Sequence, residues 1–152
     1  MLKLPMSVVM ERDFKYMPND ILLGEISNLL SEGKDVQLIA RGSSMLPFIV
    51  GDRDSVRLRK LEAVVPGDIV LAEIRKGVYV LHRVLSIEGG MVTLMGDGNL
   101  RGHEECGIDD IKGTVFGIVK PGGRVLKPTK GRFWKTVKPF RRILLAVIRR
   151  IV

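Results

Sequence analysis

The feature that most constrains this chain is the stretch from Val36 to Val125, where short aliphatic runs alternate with turns built from Gly, Pro and Asp. Runs at 36–40, 54–59, 69–74, 78–87, 91–95 and 113–119 carry the composition of β-strands. Lys76-Gly77 and Glu88-Gly89-Gly90 separate neighbouring runs by the few residues a hairpin needs. The pattern predicts a mainly β fold, a small antiparallel β domain containing at least two hairpins.

Both flanks read differently. Asn19-Asp20 precedes Ile21, Leu22, Ile26, Leu29 and Leu30 at helical spacing, so an amphipathic helix capped by Asn19 or Asp20 and ended by Gly33 is expected. Beyond Pro121-Gly122-Gly123 and Lys127-Pro128, Pro139 can open a last helix. That helix would carry Phe140, Ile143, Leu144, Val147, Ile148 and Ile151 on one broad face, flanked by Arg141, Arg142, Arg149 and Arg150. The chain therefore divides into an N-terminal extension with a helix (1–35), a β domain (36–125) and a basic amphipathic tail (126–152). Its 152 residues suit one domain with extensions.

The formal charge of +8 suggests nucleic acid until it is located. Residues 124–152 hold ten of the 25 Lys and Arg and no acid, so the remaining 15 basic residues meet all 17 acidic ones. Basicity belongs to the tail, which can dock on its own domain or lie on an anionic membrane surface. A nucleic-acid arm ranks third, because aromatic residues in the tail are limited to Phe133, Trp134 and Phe140. Charged residues at Glu11, Arg12 and Asp13 interrupt the start before a secretory signal can form, and no apolar run is long enough to span a bilayer. A cytoplasmic or peripheral-membrane location is expected.

One cysteine, Cys106, rules out an internal disulfide, and two histidines, His82 and His103, make a poor metal-ligand set. The chemistry expected here needs neither metal nor cofactor. Ser44 follows Gly42-Ser43 in a small-residue turn before Pro47. A serine hydroxyl becomes a nucleophile when a base takes its proton and N–H groups receive the oxyanion. His82 sits in Val78–Leu85, where alternation puts it on one face with Val78, Val80 and Val84. An imidazole alone among valines is more often structural, but its titration near neutrality suits a general base. Asp97, in Gly96-Asp97-Gly98-Asn99, can orient that imidazole, with Glu104 or Glu105 as other candidates.

Taken in order, these segments resemble the type I signal peptidase and LexA-like serine peptidase clan. Ser44-Met45-Leu46-Pro47 is similar to that family's nucleophile box, and Gly51-Asp52 with Val65-Pro66-Gly67-Asp68-Ile69-Val70 to its Gly-Asp strand entry. His82-Arg83-Val84 resembles the general-base strand, and Gly96-Asp97-Gly98-Asn99 the late acidic box; together the four cover roughly residues 36–120. Histidine at the base position selects the archaeal and endoplasmic-reticulum type over the lysine-base branch. In that branch the acidic box runs on to a further aspartate, which Gly98–Glu104 lacks.

The resemblance implies a serine endopeptidase with Ser44, His82 and Asp97 as catalytic residues and Ser43, Met45 and Pro47 around the oxyanion and substrate. It implies a peptide or preprotein substrate, cut at a leader or pro-segment with small residues before the scissile bond. Two other classes stay open at this level. A LexA-like regulatory module would cleave itself, for instance at Cys106-Gly107, and an inactive β module would bind peptide or membrane.

Overall fold

The computed structural model describes residues 9–10, 13–14 and 19–152. The reading of the first residues as lacking a secretory signal, and the capping side chains of Asn19 and Asp20, lie outside what is described.

Strands β1 (Val9–Met10) and β2 (Asp13–Phe14) pair with each other. Helix α1 (Asn19–Ser31) follows, and the backbone turns at Gly33, whose φ is +82°. The chain then enters β3 (Val36–Ile39), β4 (Ser55–Arg59), β5 (Ile69–Arg75), β6 (Val78–Glu88), β7 (Met91–Met95), β8 (Glu104–Gly107), β9 (Ile111–Val119) and β10 (Val125–Leu126). All eight join one antiparallel sheet in the order β3-β4-β9-β5-β6-β7-β8, with β10 pairing β9. The fold is mainly β, as the turn chemistry predicts.

Six of these strands fall where aliphatic runs mark them. The two short ones, β8 and β10, carry no such signal: Glu104-Glu105-Cys106-Gly107 has two acidic residues and no aliphatic one. It pairs at the end of the sheet, where partners on one side suffice.

Two apolar clusters lie on opposite faces. Leu22, Leu23, Ile26 and Leu30 of α1 pack on Leu38, Leu58, Ile69, Leu71 and Leu81. On the other face Val70, Ala72, Val80 and Val84 meet Val92, Leu94, Cys106 and Ile111, because β8 curls back over β5. Strands β5 and β6 are thus buried on both sides, which explains their near-continuous aliphatic sequence. The polar residues His82 and Arg83 sit inside that run and need partners there.

The tail is a second helical layer: α2 (Arg132–Thr136), a short 3-10 turn at Lys138–Phe140, and α3 (Arg141–Ile151). Trp134 and the fully buried Leu145 form a third cluster with Leu46 and Val50 of the loop that carries Ser44. The tail is therefore docked on the β domain beside the candidate nucleophile.

Candidate active site

Ser44 lies in the turn-rich loop 41–53 between β3 and β4. This loop is closed at its base by Ala40 N–H to the Asp54 carbonyl at 2.9 Å and Asp52 N–H to the Ala40 carbonyl at 2.7 Å. Gly51 packs so tightly on the backbone of Gly42 that any side chain there would collide with it. Asp54 locks the arrangement from inside. Its carboxylate is wholly buried and accepts from Val50 N–H at 2.8 Å, Arg53 Nε at 3.0 Å and Lys120 Nζ at 2.5 Å. Burial pushes this carboxyl up, but the bonds from Lys120, Val50 and Arg53 prevail and hold it below the usual carboxylate range.

Ser44 is buried, Ser43 exposed and Met45 part of the core; Pro47 follows a cis peptide bond. Among the described residues, neither Ser44 N–H nor Met45 N–H donates a hydrogen bond within the protein. Two free amide donors beside a hydroxyl are what an oxyanion requires. A cavity of about 10 Å³ opens here, lined by Ala40, Gly42, Ser44, Met45, Ile49 and Leu81 among others. It has room for little more than a methyl group.

The turn after β7 holds the serine from the other side. Gly98 N–H donates to the Ser44 carbonyl at 2.8 Å, and Gly96 and Gly98 lie against the carbonyls of Ser44 and Ser43 so closely that a Cβ at either would collide. Since Arg83 pairs with Met95, extending the register sets Gly96 across from His82. The backbone of His82 therefore lies across from the turn that holds Ser44. No hydrogen bond joins Ser44 Oγ to His82 among the described residues.

The carboxylates sort by sheet face. His82 and Arg83 are neighbours on β6, so their side chains leave opposite faces. Val84 pairs with Leu94 and Leu94 with Glu104, which puts Glu104 on the His82 face, where its Oε2 lies 2.8 Å from His82 Nδ1. A neutral imidazole donating Nδ1–H there keeps its lone pair on Nε2, the form a general base needs. Asp97 is instead gripped by Arg83 through Nε at 2.8 Å and Nη2 at 2.7 Å. The structure thus brings Glu104, and not Asp97, to the imidazole.

Arg83 is a hub that the sequence gives no means of recognising. Its Nη1 donates to the carbonyls of Gly67 at 2.8 Å and Thr129 at 2.6 Å. Its guanidinium lies over Phe48, Phe48 meets Trp134 edge-on, and Arg141 stacks on the other ring of that pair. Trp134 Nε1 donates to the Asp97 carbonyl at 2.8 Å, Arg141 to those of Asp97 and Asn99, and Arg149 to that of Gly98, each at 3.0 Å. Part of the tail's basicity thus fixes the turn on which Ser44 rests.

No protein-family model matches this chain, and a search of curated proteins finds no match either.

Proposed function

We propose that the chain is a serine peptidase in which His82 takes the proton of Ser44 and Ser44 attacks a peptide carbonyl. The observation that carries the reading is the 2.8 Å contact between His82 Nδ1 and Glu104, which leaves Nε2 to take a proton, on the strand whose register runs on to the turn that holds Ser44. Glu104 steadies the imidazolium that forms, in the role the resemblance implies for Asp97. The free N–H groups of Ser44 and Met45 receive the oxyanion, and water releases the acyl-enzyme. Asp97 acts at one remove, fixing the 96–99 turn through Arg83.

The small cavity beside Ser44 favours glycine or alanine next to the scissile bond by steric exclusion. That preference and the four segments in their order support a signal-peptidase-like activity on leader or pro-segments. Cleavage in trans is favoured over self-cleavage at Cys106-Gly107, because Cys106 is buried in β8 and pairs with Val92.

The test is incubation with a diverse peptide library and mapping of new termini by mass spectrometry. Cuts after small residues, lost in Ser44→Ala, support the reading; equal cutting by Ser44→Ala retires it. A protein that cuts only its own chain would favour the self-cleaving regulatory module.

A further inference from the structure

Docking of α3 uses only part of its apolar surface. Leu145 is fully buried and Ile148 packs beside it, while Arg141 and Arg149 on the same side bind the 97–99 turn. The other side carries Phe140, Ile143, Leu144, Val147 and Ile151, exposed by 63%, 65%, 39%, 50% and 79%. At helical spacing these five form one continuous stripe along the outside of the molecule. The exposed Arg150 borders it on the edge away from the docked face, while Arg142 lies nearer Arg149 on the docked side. A stripe of this length exposed to water needs an occupant.

The second observation lies at the start of the helix. An open cleft of about 450 Å³ is lined by Leu100, Arg101, Pro139, Arg141 and Arg142. Three of its five lining residues are arginines and none is acidic. Arg141 also has a buried Nε without a hydrogen-bond partner, although its Nη2 is engaged. Such a cleft suits a phosphate, and guanidinium forks bind phosphate oxygens in pairs. Next to an apolar stripe, the phosphate that fits is the headgroup of a lipid whose chains continue onto the helix.

We propose that the exposed face of α3 and the Arg101/Arg141/Arg142 cleft together dock the protein on an anionic phospholipid surface. Charge complementarity decides among occupants: residues 124–152 hold ten Lys and Arg and no acid, so a second copy would bring like charge to like. The helix lies in the interface plane with its apolar side down and its arginines at headgroup level. The opposite side of α3 grips the 97–99 turn, so this docking would hold the neighbouring Ser44 site one helix diameter, roughly 10 Å, from the bilayer. The inference stands without the peptidase reading, since it concerns binding alone.

Co-sedimentation of the full chain with vesicles tests it, using phosphatidylcholine alone and phosphatidylcholine mixed with phosphatidylglycerol. Binding to the anionic vesicles is expected at low salt, weakening as salt rises, with little binding to the neutral ones. Arg142→Gln and Arg101→Gln should each weaken it about fivefold, the worth of one basic residue near a charged bilayer. Val147→Asp and Ile151→Asp should abolish it. Ile151 is the most exposed of the stripe, and emission from the buried Trp134 reports whether the tail stays docked in every variant. Failure to bind anionic vesicles, or equal binding to both kinds, overturns the proposal. A vesicle-free dimer that Ile151→Asp dissolves overturns it too, by giving the stripe to a second copy.

Discussion

Arg83 and Asp97 form a two-pronged ion pair, at 2.8 and 2.7 Å, with side chains only 3% and 4% exposed. It ties β6 to the turn that holds Ser44. Leaving one buried charge without the other costs about 3–5 kcal/mol. Asp97→Asn and Arg83→Gln should therefore each lower stability by about that much in urea unfolding, and a double-mutant cycle should show strong coupling.

Glu104 should behave otherwise. Its side chain is 31% exposed and makes its contact with His82 at the edge strand β8, so Glu104→Gln should change unfolding little. Its cost should fall on turnover, by about four orders of magnitude, as when the orienting acid of other triads is neutralised. Comparing kcat and the urea midpoint for Glu104→Gln and Asp97→Asn separates the two carboxylates, since one should lose rate and the other stability.

Asp54 makes stability depend on acid. Its carboxyl is held below the usual range in the folded protein, so below about pH 4 the unfolded chain binds more protons than the native one. Stability from this group is complete above the unfolded pKa and is lost as pH falls through the folded one. Urea midpoints measured downward from neutrality should fall steeply in that window, and Asp54→Asn should flatten the fall while lowering stability throughout.

Glycine substitutions test the grip on the nucleophile. A methyl at Gly98 would meet the backbone carbonyl of Ser43, which cannot rotate away. Gly98→Ala should cost about 1–3 kcal/mol by overpacking and displace Ser44, lowering peptidase activity. Gly24, inside α1, has open space where a methyl would stand, with nothing within 4 Å, so Gly24→Ala should stabilise by up to about 1 kcal/mol.

The strands with aliphatic alternation were legible in the sequence because burial on one or both faces leaves that imprint. Edge strand β8 was not, since its ladder is made by the backbone and tolerates Glu104 and Glu105. Ser44 and His82 stood out by residue type. Which carboxylate serves His82 was not readable, because both lie within 22 residues of it and only strand register assigns them to faces. Arg83 was hidden for a related reason: an arginine in an apolar run gives no sign of a carboxylate 14 positions on. The tail read as one apolar face bordered by arginine, yet of that face only Ile148 packs inward, beside a Leu145 that lay outside it, while Phe140, Ile143, Leu144, Val147 and Ile151 stay exposed.

In the proposed mechanism His82 activates the side chain at position 44. It is tested most directly by Ser44→Cys in a Cys106→Ser background, reading alkylation rate against pH with His82 present and with His82→Ala. Burial, with the nearby Asp110 charge, pushes the Cys106 thiol up, and replacing it removes that background entirely. Rapid alkylation at neutral pH is expected, from a thiolate formed by proton transfer to His82, and its loss in His82→Ala. Identical profiles in both proteins, each rising near about pH 8.5 as an ordinary thiol does, would contradict it.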